Sequence, residues 1–285
     1  MKSTFLFFFI ALAIAGCDYV DDPTPPGTGG GGNNGGDTVK RRALLEEFTG
    51  HRCNTCPAAH AVAANLTTAY GEDLIVVAIH ATNFFAAPVD PPAANGSYST
   101  DFRTPAGDAY ATTFNVSFLP TGLVNRVPFN SSTTIGSGNW SSAIAEIVDA
   151  DAACDIWVDE LVYNSGANTV SAVVKVAVLQ AITGAHNLTI YLTEDHVIDW
   201  QLNSLVSPPD VPNYDHRHVL RTNLTGTWGS SLITASAAVG DTLTLSVPPV
   251  SMDPAWNGTE CALVAYLYNV SSNEILQATE RKFQP

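Results

Sequence analysis

The sequence predicts an α/β unit over residues 38–151 followed by an all-β antiparallel sandwich over 152–285. Two apolar runs, Ala43–Phe48 and Leu74–Ile79, flank a segment whose apolar residues recur at helical spacing, which is the pattern of a βαβ unit. From Ala152 onward the apolar residues recur at every second position, with turn residues between the runs. Ahead of both lies a Gly- and Pro-rich stretch, 18–37, in which no core can form; it reads as a flexible tether.

The run Ala43–Phe48 leads to a turn at Gly50 and then to Cys53-Asn54-Thr55-Cys56. Pro57 suits the first turn of a helix, and Ala59, Val62, Ala63, Leu66 and Tyr70 then form one apolar stripe. A strand feeding a Cys-X-X-Cys pair at a helix start is a thiol–disulfide site in outline. The partial positive charge of the helix N-terminus favours a thiolate, and Arg52 and a protonated His51 push the same way. Cys56 shares the buried face of the helix, whereas Cys53 precedes it. The expectation is an accessible Cys53 that attacks and a sheltered Cys56 that resolves.

Leu74–Ile79 is continuous, as in a parallel strand covered on both faces, and it places the cysteines at the carboxyl end of the first strand, where sites in open α/β sheets lie. Glu46 and Glu47 point to opposite faces of that strand, so at least one is partly buried, which raises a carboxyl pKa. Residues 82–98 carry Pro88, Pro91, Pro92 and Gly96 and read as a loop over the site. Residues 99–114 read as a helix, 114–125 as a strand region with Pro120 at its start, and Trp140–Ala150 as a final helix. The order is β-α-β-α-β-β-α. Beyond it, Val170 to Val178, Leu188 to Leu192 and Leu243 to Val247 alternate, and Ala262–Tyr268 and Ile275–Ala278 are further strands.

The N-terminus bounds the compartment. Lys2 precedes an apolar run from Phe5 to Ala15 that is too short to span a bilayer and reads as a secretory signal over 1–17. Leu12–Cys17 resembles a bacterial lipobox, which implies acylation of Cys17 and attachment to the bilayer; the alternative is a soluble secreted protein cleaved nearby. Asp18, Asp21 and Asp22 resemble a surface-export signal of lipoproteins, or serve solubility alone. A formal charge of −15 with only 12 Lys and Arg argues against nucleic acid as a partner. Export permits disulfides, so Cys154 and Cys261 either bridge each other or stay as buried thiols.

The strand, Cys-X-X-Cys and helix resemble thioredoxin-fold proteins over 38–151. Pro120, in Phe-Leu-Pro-Thr, is similar to the cis-proline that opposes the cysteine pair in that fold. The resemblance implies that Glu47 is the buried acid serving as proton acceptor for the inner cysteine. Arg52 stands where that fold usually has Trp, and Asn-Thr fills the dipeptide, so no redox poise carries over. Leu44–His60, Val76–Ala81, Tyr191–Asp195 and His216–Arg221 also resemble the outer-membrane-protein-28-related lipoproteins of Gram-negative bacteria. That resemblance implies a lipid anchor in the outer membrane, a thioredoxin-like domain and a C-terminal β domain, Ig-like in outline, with periplasmic or surface exposure.

Two functions follow as expectations. The first is thiol–disulfide exchange on envelope or surface protein thiols, without a cofactor, carried by Cys53, Cys56, Glu47 and Pro120. The second is a non-enzymatic surface lipoprotein, binding a partner or acting in adhesion, in which Cys53–Cys56 only staples the domain. Metal is the weaker reading. Cys53 and Cys56 would need two more ligands, for which His60 and His51 are near, and His216 and His218, at i and i+2 on a strand, would need Glu194 or His196. As lone histidines with apolar neighbours, His60 and His80 read first as core or rim groups.

Overall fold

The computed structural model describes residues 38–283. The signal over 1–17, Cys17 and the tether over 18–37 lie outside the described residues. The first strand, β1 (Ala43–Thr49), is buried at every position, and so is β2 (Leu74–His80). Between them α1 (Cys56–Tyr70) lays Ala59, Ala63 and Leu66 against the sheet. β1 and β2 pair in parallel from Ala43↔Leu74 to Thr49↔His80. After α2 (Pro105–Thr113), β3 (Thr121–Val124) runs antiparallel on the other side of β1, with Phe48 opposite Thr121. α3 (Trp140–Val148) then buries Trp140, Ala143, Ile144 and Ile147 on the same face as α1.

Two expected elements differ. The helix expected over 99–114 begins only at Pro105, because Thr104 caps it: its hydroxyl accepts from the Gly107 N–H at 2.9 Å. The second strand of the expected β-β pair is absent among the described residues. Asn125 and Arg126 adopt φ of 46° and 56°, which ends β3, and the chain returns to it only through a Gly122–Ile135 bridge.

The remaining strands are β4 (Cys154–Asn164), β5 (Thr169–Val178), β6 (Ile182–Thr183), β7 (His186–Glu194), β8 (Val197–Leu202), β9 (Asp210–His216), β10 (Val219–Asn223), β11 (Ser230–Ile233), β12 (Ser236–Ala237), β13 (Thr242–Ser251), β14 (Cys261–Asn269) and β15 (Ile275–Lys282). One eight-stranded sheet draws on both sides of residue 151. Its order is β15-β14-β7-β10-β2-β1-β3, with β11 also paired to β7. The junction is β10 against β2, where Val219 lies opposite Ala78 and the Ala78 N–H donates to the His218 carbonyl at 2.8 Å. The change of period near residue 152 is therefore a change along the chain, while the sheet itself is continuous.

A second sheet, β13-β5-β4, packs on the β7–β14 part of the first. Along β5 the buried residues are Val170, Ala172, Val174, Val176 and Val178, as the alternation predicts. They meet Leu188, Ile190, Leu263 and Ala265. This is the antiparallel sandwich in coarse form. β7 is covered on both faces, since Tyr191 joins Leu44, Phe48, Tyr110 and Tyr266 in a second core beneath α2. β8 and β9 form a separate ribbon, from Val197↔His216 to Leu202↔Asp210. No helix among the described residues is long and apolar enough to cross a membrane.

Candidate functional site

β1 ends at Thr49 and the chain turns through Gly50 into the cysteine pair. A side chain at Gly50 would meet the Phe85 carbonyl, 2.6 Å from where its Cβ would lie. Gly50 thus lets the 82–98 loop close on the turn, and the Arg52 N–H donates to that same carbonyl at 2.9 Å. Thr55 precedes the helix and Cys56 begins it. Cys53 and Cys56 form a disulfide with their Cα atoms 5.4 Å apart.

The expected asymmetry between the sulfurs is not found. Cys53 is 1% exposed and Cys56 0%. The cover comes from the β8–β9 ribbon, about 150 residues away in sequence. The Leu202 N–H donates to the His51 carbonyl at 2.8 Å, and the Ser204 N–H to the Asn54 carbonyl at 2.9 Å. The buried Gln201 amide donates to the Cys53 carbonyl at 3.0 Å. The Cys53 end of the motif is capped by chain that the local sequence gives no hint of. His51 is also buried, and desolvation lowers its pKa, so it is a neutral neighbour rather than a cation.

Glu46 and Glu47 do face opposite ways, and both are buried. Glu46 is paired with Arg126 beneath α2. Glu47 faces α1 and has no charged partner within hydrogen-bonding distance; its Oε1 accepts no hydrogen bond. Burial pushes its pKa up to about 8. It lines a cavity of about 560 Å³ together with Pro57, His60, His80, Tyr214 and His216. Pro57, directly after Cys56, lines the same cavity as Glu47, while neither cysteine is among its lining residues.

The histidines of this cavity are neutral. Desolvation lowers His60 to about 3 and His216 to about 4, and holds His80 well below the usual range. Both ring nitrogens of His80 lack a partner. His60 joins Thr49 at 2.8 Å and the Tyr214 hydroxyl at 2.7 Å. Sequence reasoning missed Tyr214 and Gln201, which reach the site only through the ribbon.

The other expected residues fall as follows. The Leu119–Pro120 peptide is cis, and Pro120 immediately precedes the Thr121 that pairs with Phe48, so it lies at the same sheet end as the cysteine turn. Cys154 and Cys261 are not bridged. Both are buried free thiols, and burial pushes each pKa up to about 12. His216 and His218 do not share a strand face. His216 ends β9 inside the cavity, whereas His218, at φ 53°, sits in the bend before β10 and pairs with Asp195 at 3.2 Å. Arg217 and Arg221 pair with Asp195 and Glu194. Among the described residues no cluster of His, Cys, Asp or Glu has the geometry to hold a metal ion.

Fold and site together define a mixed-sheet, mostly β protein with a capped Cys-X-X-Cys disulfide at a helix start. The sequence profile of the family described as outer membrane protein Omp28 matches residues 107–285, and the chain belongs to that family, whose place is the outer membrane. The match does not include the cysteine pair. No curated protein matches the sequence. Among solved structures, HBP35 of Porphyromonas gingivalis superposes with a TM-score of 0.62 at 16% identity, over 86% of this chain and 76% of its own. Protein AGR_C_4864 from Agrobacterium tumefaciens gives 0.52 at 11% identity, over 87% and 99%. These likenesses are of fold alone. A domain of the outer membrane lipoprotein Omp28 from Porphyromonas gingivalis is 20% identical over 47% of this chain and 90% of its own, with a TM-score of 0.28.

Proposed function

We propose that this outer-membrane protein carries out thiol–disulfide exchange on envelope or surface protein thiols, anchored by acylated Cys17, with residues 38–151 acting as a thioredoxin-like unit. The strand order β2-β1-β3, α1 and α3 on one face, α2 on the other, and Pro120 beside the cysteine turn support that unit. Cys53 forms the mixed disulfide and Cys56 resolves it. Glu47 takes and returns the Cys56 proton, and Pro120 shapes the groove that holds the partner's backbone.

The observation that carries the reading is Glu47. A structural disulfide needs no unpaired acid in the cavity that borders its helix. An unpaired buried carboxyl costs stability, and such groups cluster where proton chemistry is done. A pKa of about 8 lets it exchange a proton with a thiol near neutral pH. The test is stopped-flow reduction and reoxidation of Glu47→Gln. The reading expects a slowed resolving step and accumulating mixed disulfides; kinetics equal to the parent's would remove Glu47 from the mechanism.

One observation favours the second reading, a non-enzymatic surface lipoprotein stapled by Cys53–Cys56: both sulfurs are buried, with the ribbon hydrogen-bonded over the Cys53 end. Exchange therefore requires the ribbon to move. A two-stranded ribbon with no third strand is the kind of element that opens locally.

A further inference from the structure

Glu47 and His60 lie on different elements yet share one cavity wall. The Glu47 side chain is 3% exposed, while His60, one helical turn beyond Cys56, keeps 19%. His60 Nε2 is 3.7 Å from Glu47 Oε1, the atom without a hydrogen-bond partner. From its other nitrogen a path leads outward. Nδ1 is 2.7 Å from the Tyr214 hydroxyl, and Tyr214 adjoins the exposed Asp215 at the cavity wall.

We propose that His60 is the proton relay between Glu47 and solvent, serving the Cys53–Cys56 exchange. The second clause rests on the exchange reading above. A partner thiolate attacks Cys53 Sγ, the partner–Cys53 bond forms, the Cys53–Cys56 bond breaks, and its electron pair leaves on Cys56. That thiolate takes the proton of the Glu47 carboxylic acid. The resulting carboxylate, buried in the cavity wall, takes the Nε2 proton of His60, and His60 takes a replacement at Nδ1 from solvent by way of Tyr214. In the resolving direction each proton runs back. His60 ends as the other neutral tautomer, so no charge is left in the cavity. Nε2 is held by the Thr49 hydroxyl at 2.8 Å, so the 3.7 Å gap to Glu47 closes when the ring turns from Thr49 or when one water bridges to the carboxyl.

Thr49, at the end of β1, is the group that competes for His60 Nε2. From β2 comes His80, neutral and unpartnered. From β9 come Tyr214 and His216. In the bend beyond β9, Arg217 and His218 are held on Asp195. From β15 come Lys282, 3.8 Å from Asp195, and Glu280, whose pKa burial raises. The cations Arg217 and Lys282 are thus tied to Asp195, and neither pairs with Glu47.

The test uses the full chain in detergent, as parent, His60→Gln, His60→Ala and Tyr214→Phe, each checked for folding. Glutamine keeps a hydrogen-bonding side chain but has no second tautomer. In the oxidised protein, without thiol, the Glu47 carboxylic band, assigned by Glu47→Gln, is followed in the infrared after a jump from pH 6 to pH 10. His60→Gln should slow its loss by about 100-fold, and Tyr214→Phe by less. Thiol reduction of the disulfide should slow in step, and added imidazole should restore both rates in His60→Ala. Glu47 ionising as fast in His60→Gln as in the parent, or no effect of imidazole, overturns the relay. If ionisation slows but the parent's disulfide does not exchange with thiols, the exchange reading fails and the proton path stands.

Discussion

Arg126 donates from Nε and Nη2 to the two carboxyl oxygens of Glu46, each at 2.7 Å, and neither side chain is exposed to solvent. Tyr191 of β7 and Tyr266 of β14 complete the arrangement. Arg126 Nη2 donates to their hydroxyls at 3.2 and 2.9 Å, and the Tyr191 hydroxyl donates to Glu46 at 2.7 Å. The pair thus ties β1 to β7, some 145 residues away in sequence, and to β14 beyond it. Removing one partner leaves a buried charge uncompensated. Arg126→Met should destabilise by about 3–5 kcal/mol in denaturant unfolding. Because the sheet is continuous across residue 151, parent and variant should each unfold in one transition. Two separated transitions would show that the halves fold independently.

Stability should pass through a maximum near pH 6.5. Glu47 has a folded pKa of about 8 against an ordinary carboxyl value near 4.3, so the folded state holds the extra proton between them. Stability then falls as pH rises through that window, by at most about 1.4 kcal/mol per pH unit. His60, His80 and His216 act on the other side. Their folded pKa values are lowered, so the unfolded state binds the extra protons below about 6.5 and stability is lost as pH falls. Glu47→Gln should flatten the alkaline limb and, because its window reaches down to about 4.3, steepen the acid limb. Denaturation midpoints from pH 5 to pH 9 check this.

Gln201 links the ribbon to the cysteine turn. Gln201→Ala removes the hydrogen bond to the Cys53 carbonyl, worth about 1 kcal/mol, and should ease opening of the cover. Reduction of Cys53–Cys56 by glutathione should quicken about fivefold. An unchanged rate would mean that the ribbon does not limit access.

Cys154 and Cys261 should both titrate as free thiols, and only after unfolding, since burial shields them and raises each pKa to about 12. Mass mapping of non-reduced peptides should find no 154–261 link.

Cys17→Ala should move the protein out of the membrane fraction. Continued sedimentation with membranes would remove the lipid anchor from the account.

Much of this was legible in the sequence. The stripe Ala59, Ala63, Leu66 is the buried face of α1, and the alternation from Val170 to Val178 is the buried face of β5. Strand geometry gave the opposite faces of Glu46 and Glu47 and the burial of at least one; the structure buries both. What could not be read was long-range pairing. Nothing near Cys53 announces that Gln201 and Ser204 will cover it, and nothing near Glu46 announces Arg126. The joining of β10 to β2 turns two expected domains into one sheet through Val219 and Ala78. His216 and His218 were read as strand neighbours because a positive φ at His218 leaves no trace in a histidine's identity.

The central claim is that Cys53–Cys56 exchanges. The most direct measurement is the reduction potential of the pair, by equilibration of the folded protein with glutathione redox buffers. Exchange predicts a value above about −300 mV, within reach of the thiol pools and exchange proteins of an envelope. A value below about −300 mV, with the pair oxidised in every accessible buffer, would mark a permanent staple and contradict the account.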